Sequence, residues 1–295
     1  MFIIKHKKIF VTISAILVSL SIASIIFFGL NFGIDFKGGS LLEVEYTDVR
    51  PEQKLVENTI RELSIGEVLI QPMGESGYSI KTRDITEPER LKIMESLGSE
   101  ATEKSFTSIG PSVGAELVRK SIISFILVAL GIIFWIAFSF RKVSKPVSSW
   151  KYGFIAIIAL IHDITISAGV FALLGYITGA EVDTLFVVAI LTILGLSVSD
   201  TIVVFDRIRE NIRIGHFKTF EETVGKSINQ VYSRSIATSS TVIIALLALV
   251  FFGPESTKVF ALMLTAGMFF GTYSSIFLAS PLLVLFNNIQ GKKSK

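Results

Sequence analysis

LTILGLSVSDTIVVFDRIRE, Leu191 to Glu210, is an apolar run of the kind that crosses membranes, interrupted by one carboxylate, Asp200. A charged side chain at bilayer depth costs on the order of 2.5–3.5 kcal/mol on insertion scales, so it is kept where it is protonated, paired or beside water. Helical spacing of three and four puts Ser197, Asp200, Val204 and Arg207 on one face and turns Ile193, Val203 and Phe205 largely elsewhere. The polar stripe is expected to face protein. A plainer reading makes Asp200 the head-group end of a membrane helix. Against it, Thr201 to Phe205 adds five mostly apolar residues, about 7–8 Å of helix, before Asp206 and Arg207 begin the wet part.

The whole chain agrees with that class. Its 295 residues are 51% hydrophobic with a mean hydropathy of +0.64, and the apolar runs are long enough to span a bilayer. The net charge of +3 hides an asymmetry: residues 35–119 carry 10 Lys/Arg against 16 Asp/Glu, leaving 18 against 9 for the rest. The basic excess sits in membrane-flanking loops, so it reports topology and lipid head groups rather than nucleic acid. With no cysteine, disulfides and thiolate chemistry are excluded.

Lys5, Lys7 and Lys8 precede an apolar run from Ile9 to Leu30, and an uncleaved first membrane helix is expected, because that run continues seven residues past a weak Ser21-Ile22-Ala23 cleavage signal. Residues 35–119 form the long hydrophilic block. Strands are expected at Leu41–Tyr46, Glu67–Gln71, Tyr78–Arg83 and Lys104–Ile109, with helices at Pro51–Leu63 and Glu87–Leu97. The order βαββαβ is the ferredoxin-like split unit. The block lacks His and Cys, and its scattered carboxylates read as a solvated surface.

Five further apolar spans follow, at Ser121–Phe140, Phe154–Thr178, Leu185–Phe205, Ile236–Phe252 and Val259–Phe286. Arg141, Lys142, Lys145 and Lys151 mark the end of the second as cytoplasmic. The loop with Glu181 and Asp183 lies opposite, and Lys292, Lys293 and Lys295 close the chain on the cytoplasmic side. The expected protein is therefore a polytopic α-helical membrane protein. It has six transmembrane helices, both termini cytoplasmic, and an extracytoplasmic α+β ferredoxin-like head between the first two. The divisions are 1–34, first helix; 35–119, head; 120–287, five-helix bundle; and 288–295, basic tail. Phe217, Phe220, Val224, Ile228 and Val231 predict a separate amphipathic helix on the inner membrane face or docked under the bundle. Gly267, Gly271, Ser275 and Ala279, four residues apart, form a small-residue seam that serves an internal helix pair or a partner subunit.

Three ionisable positions interrupt the spans: Asp163 beside His162, Asp200, and Arg234. Asp163 lies eleven residues in from Tyr152, roughly 16 Å deep. Burial and a facing guanidinium pull a carboxyl's hold on its proton in opposite directions, which suits a switch. Ser197, Ser199, Thr201, Thr238, Ser239 and Thr241 supply polar neighbours that can relay protons. A static Asp200–Arg234 ion pair fixing helix register stays open, as does a simple helix-to-helix hydrogen bond at Asp163. No metal is expected, since His162 has no second His or Cys at ligand spacing.

NFGIDFKGGSLLEVEY (Asn31–Tyr46) resembles the GIDFxGG signature of the SecD/SecF family of the bacterial protein-export machinery, with Gly33, Asp35, Gly38 and Gly39 at its fixed positions. VSDTIVVFDRIREN (Val198–Asn211), including Asp206 and Arg207, resembles the fourth-helix motif of the SecF branch. ALIHDITISAG (Ala159–Gly169), RSIATSSTVI (Arg234–Ile243) and FALMLTAGMFFGTYSSIFLASPLL (Phe260–Leu283) are similar to other SecF segments. The resemblance implies a non-enzymatic subunit of the resistance-nodulation-division superfamily in the bacterial inner membrane. Paired with SecD, such a subunit uses the proton gradient to promote late export of polypeptides through the SecYEG channel. It implies no cofactor beyond protons, and as partners SecD, SecYEG, the unfolded translocating polypeptide and the lipid bilayer, with YajC as a further candidate and no nucleic acid. Asp200 would be the family's fourth-helix aspartate and Arg234 its fifth-helix arginine. Leu196 and Ser199 depart from the Tyr and Asn common there. Two alternatives are a small-molecule or lipid exporter of the same superfamily, and an intramembrane aspartyl protease using Asp163 and Asp200.

Overall fold

In a computed structural model, residues 2–139, 149–215 and 217–293 are described. Arg141, Lys142, Lys145 and Lys295 lie outside them. Six helices among the described residues are long and apolar enough to cross a membrane, and the chain divides into a helical unit and a sheet-bearing unit.

The sheet-bearing unit comprises Phe32–Ile123 with Val182–Thr184. After the short α1 (Phe2–Lys5), α2 (Lys7–Phe28) and α3 (Ile34–Lys37), the chain enters β1 (Gly39–Tyr46), α4 (Gln53–Glu62), β2 (Leu69–Met73), β3 (Gly77–Thr82), α5 (Glu87–Leu97) and β4 (Ala101–Ile109). All pairings are antiparallel, in the order β2-β3-β1-β4. The predicted βαββαβ order is the observed one, because period-two burial along β1 and β3 turns Leu42, Val44, Tyr46, Tyr78 and Ile80 toward Val56, Ile60 and Ile93 of the two helices. A capping box formed by Thr86 and Glu89 starts α5.

The glycine-rich signature is architecture. Asp35 Oδ2 accepts hydrogen bonds from the Thr184 backbone amide (2.8 Å) and hydroxyl (2.6 Å), and the Gly33 amide donates to Val182. Thr184 opens α8 (Thr184–Ile214), so Asp35 supplies the acceptor for an orphan N–H that a capping side chain usually provides. Gly39 has φ +135° and a Cβ there would stand 2.7 Å from the Thr82 carbonyl oxygen; one on Gly38, at φ +79°, would stand 2.9 Å from Pro111 Cα. Neither position accepts another residue without backbone movement.

The helical unit contains α2, most of α6 (Pro111–Ser139), α7 (Ser149–Thr178), α8 (Thr184–Ile214), α9 (Phe220–Phe252), α10 (Glu255–Ser274), a π-helical turn (Ser275–Ala279) and α11 (Ser280–Lys293). Its core joins Tyr152, Ile155 and Ala159 of α7, Val204, Phe205 and Ile208 of α8, Val224 and Ile228 of α9, and Leu283 and Val284 of α11. Two sequence expectations need correction. The amphipathic stretch from Phe217 is not a separate helix: from Phe220 onward it runs into the fifth span as one 33-residue helix, because Val224, Ile228 and Val231 bury in the same core as the spans. Ile193 and Phe205, expected to point away from Ser197 and Val204, are also buried, at 1% and 0% exposure.

Small residues set the close crossings. A Cβ on Gly169 of α7 would meet Ser21 Cβ of α2 at 2.5 Å, and Ser24 Oγ donates to the Gly169 carbonyl oxygen (2.8 Å). The seam on α10 faces α8, an internal pair: Gly267 lies on Ile193 and Gly271 on Ser197, while Ser275 bonds Thr201 (2.8 Å). Both rows advance by four residues, so the two helices mesh over two turns.

Candidate polar site in the helical unit

Asp163 sits near the middle of the 30-residue α7 and is fully buried. Its Oδ2 accepts hydrogen bonds from Ser197 Oγ of α8 (2.5 Å) and Ser274 Oγ of α10 (2.8 Å); its Oδ1 lies 2.8 Å from His162 Nδ1. A carboxylate with this many donors satisfies the requirement for burying a charge. The His162 ring stacks on Tyr273 at 6.2 Å between centroids, and its buried Nε2 has no hydrogen-bond partner among the described residues. Ser274 is the last residue of α10 before the π-helical turn, a backbone irregularity that often marks functional positions.

Asp200, also near the middle of its helix, is half-buried. Ser235 Oγ of α9 donates to its Oδ1 (2.8 Å); the buried Oδ2 receives no hydrogen bond from the described residues. Asp163 is within electrostatic reach of Asp200, but the two carboxyls use separate partners and form no hydrogen-bonded dyad of the kind an aspartyl protease shares a proton across. A second layer of hydroxyls continues the cluster: Thr201 with Ser275 (2.8 Å), and Ser239 of α9 with Thr272 of α10 (2.5 Å).

The Asp200–Arg234 ion pair, one of the two readings the sequence left open, is not formed among the described residues. Arg234 is exposed in the single chain and makes no ion pair among the described residues. The reason is geometric: Ser235 is the residue turned to Asp200, and its predecessor on a helix points about 100° away. Thr238 and Thr241 share the exposed face of Arg234 and bond back to their own helix at the Arg234 and Ala237 carbonyls. Ser199 is exposed as well. Of the predicted supporting set, Ser197, Thr201 and Ser239 join the cluster, at 3%, 1% and 4% exposure. Ser235, Thr272 and Ser274 escaped the sequence reading; their signal was the i+4 repeat from Ser235 to Ser239 and the Ser274-Ser275 pair inside an apolar span. Asp206 is exposed and pairs with Arg209 (2.5 Å). Arg207 bonds Glu210 and Gln230 (2.5 and 2.6 Å), and Asn211 bonds Gln230 and Ser227 (2.8 and 2.7 Å), a polar strap between α8 and α9.

Against known proteins, residues 90–289 match the family described as protein export membrane protein SecD/SecF, C-terminal, and residues 23–48 match the SecD/SecF GG motif. The protein translocase subunit SecF of Thermobaculum terrenum is 42% identical, over 97% of this chain and 94% of that one. This chain belongs to the SecF family. The SecF of Anaerolinea thermophila is 36% identical over the same shares of the two chains. Among solved structures, the crystal structure of SecDF from Thermus thermophilus superposes with a TM-score of 0.83 at 32% identity, covering 97% of this chain and 38% of that one. SecDF in its super-membrane-facing form gives 0.71 at 30% identity, covering 99% and 39%. The chain thus spans about two-fifths of the length of SecDF. As a SecF-family member it is a multi-pass inner-membrane protein of the Sec export system.

Proposed function

We propose that the chain is the SecF half of a translocase accessory pair that uses the proton gradient to promote late export of polypeptides. Its partner is a SecD chain, and the pair acts on the SecYEG channel and the emerging unfolded polypeptide, with YajC as a further candidate. The termini lie in the cytoplasm and the head outside, the orientation favoured by the basic loops.

The carrying observation is Asp200: a carboxyl in the middle of a membrane-type helix, anchored through one oxygen by Ser235 and with the other receiving no donor among the described residues. Such a group takes up and gives off a proton without breaking the bond that holds it. Protonation cancels a charge beside Asp163 and loosens the preference of α8 for its present seat against α9, a local charge change acting on packed helices. One elementary charge moved across 100 mV is worth about 2.3 kcal/mol, enough to bias a two-state movement roughly fiftyfold. Arg234, exposed on the next helix and without an ion pair among the described residues, is placed to answer a carboxylate of the partner.

The test is Asp200→Asn in cells that depend on the pair. Stimulation of export is lost, while membrane insertion and co-purification with SecD persist. Normal secretion in that variant overturns the reading.

A further inference from the structure

A groove of about 460 Å³ opens between the start of the chain and α9, lined by Phe2, Ile4, Gly225, Ile228, Tyr232 and Phe277. That volume falls within the ~300–1,000 Å³ of small-molecule sites. Gly225 lines it with backbone alone, next to Ile228 in the lining. The lining is graded: Phe2 and Gly225 belong to the polar-flanked ends of their helices, whereas Phe277 lies inside the sixth span, its ring tilted by 40° against Phe10 at 4.8 Å between centroids. The groove therefore leads from the level of the basic flanks into the apolar depth of the bundle.

Lysines flank the lining residues along the chain. Lys5 stands three residues after Phe2 and Lys226 three before Asn229, each one helical step from a lining residue. Lys5, Lys8 and Lys226 are exposed and make no ion pair among the described residues. Of the acidic residues on the same stretch of α9, Glu221 is paired with Lys7 (2.5 Å) and accepts from Asn288 (2.9 Å), while Glu222 accepts from the Lys218 amide (3.3 Å) and keeps its charge one turn before Lys226. An apolar slot flanked by lysines that make no ion pair among the described residues matches a molecule with a hydrocarbon tail and an anionic head.

We infer that this groove binds one acyl chain of an anionic phospholipid, with the phosphate held by Lys5, Lys8 and Lys226. The seat is separate from the Asp163–Asp200 cluster and does not depend on the chain's role in export.

The test is native mass spectrometry of the full chain in mild detergent, titrated with phosphatidylglycerol, with phosphatidylcholine and with soluble glycerol phosphate. One phosphatidylglycerol per chain is retained in preference to phosphatidylcholine, and glycerol phosphate at equal concentration does not displace it. Replacing Lys5, Lys8 and Lys226 together by Gln weakens phosphatidylglycerol binding about a hundredfold, from roughly one near-surface charge contribution per lysine. Gly225→Leu, which fills the slot, weakens it while leaving the lysines in place. Equal retention of the two lipids, an unchanged triple variant, displacement by glycerol phosphate, or full binding by a folded Gly225→Leu protein each overturns the assignment.

Discussion

Ser197 of α8 donates its hydroxyl hydrogen to the buried Asp163 of α7 over 2.5 Å, and from the next turn of the same helix Asp200 reaches α9 through Ser235. The two carboxyls are thereby tied to different neighbours by one helix. Removing the first tie, Ser197→Ala, takes a donor from a buried carboxylate and is expected to destabilise the bundle by about 1.5–3 kcal/mol, read as a lower unfolding midpoint in detergent. Ser274→Ala acts in the same direction, and the two effects are non-additive because both hydroxyls serve one oxygen.

Gly267 admits Ile193 so closely that a Cβ would stand 2.3 Å from its Cδ1 and Cγ1. Gly267→Ala is expected to cost about 1–3 kcal/mol through overpacking. Adding Ile193→Ala removes the clashing atoms and recovers part of that loss, measurable as coupling in a double-mutant cycle of unfolding midpoints.

Asp35→Ala removes both acceptor contacts to Thr184 and frays the start of α8. A cap of this kind is worth about 1 kcal/mol, so amide exchange at Thr184 accelerates roughly fivefold by the usual energy-to-ratio conversion. Asp35→Asn keeps an acceptor oxygen and loses less.

In the sheet-bearing unit, the Arg83 guanidinium, then the Thr86 amide and hydroxyl, draw the Glu89 carboxyl down from 4.5 to about 2. A depressed carboxyl contributes stability that is present above its unfolded value and lost as pH falls toward its folded one. Amide protection at the start of α5 is therefore expected to decline between about pH 5 and pH 2. In Glu89→Gln that part of the pH dependence disappears.

Period and charge made most of this architecture legible. Alternation in LLEVEY and the spacing of Glu87–Leu97 located head elements to within a few residues, and lengths of apolar sequence located the six spans. The small-residue repeat on α10 was visible, though its occupant was not: a stripe of Gly and Ser says that something approaches closely without saying what. The polar site was half legible. Asp163 and Asp200 stand out because charge is costly in an apolar run, but charge complementarity suggested the wrong neighbour for Asp200. Helical phase decides: 235 and 239 share the inward face, while 234, 238 and 241 share the outward one. Hydroxyl donors such as Ser274 are hidden because serine in a membrane helix also serves as a small packing residue.

Because α9 runs unbroken from Phe220 to Phe252, the Lys7–Glu221 clasp near its beginning and the Ser235–Asp200 contact belong to a single rod, some 21 Å apart at 1.5 Å per residue. Without a joint between them, a tug on the rod's foot slides or tilts the serine that holds the acid. A pull at the Lys7–Glu221 end and the grip of Ser235 on Asp200 are then two handles on the same stick.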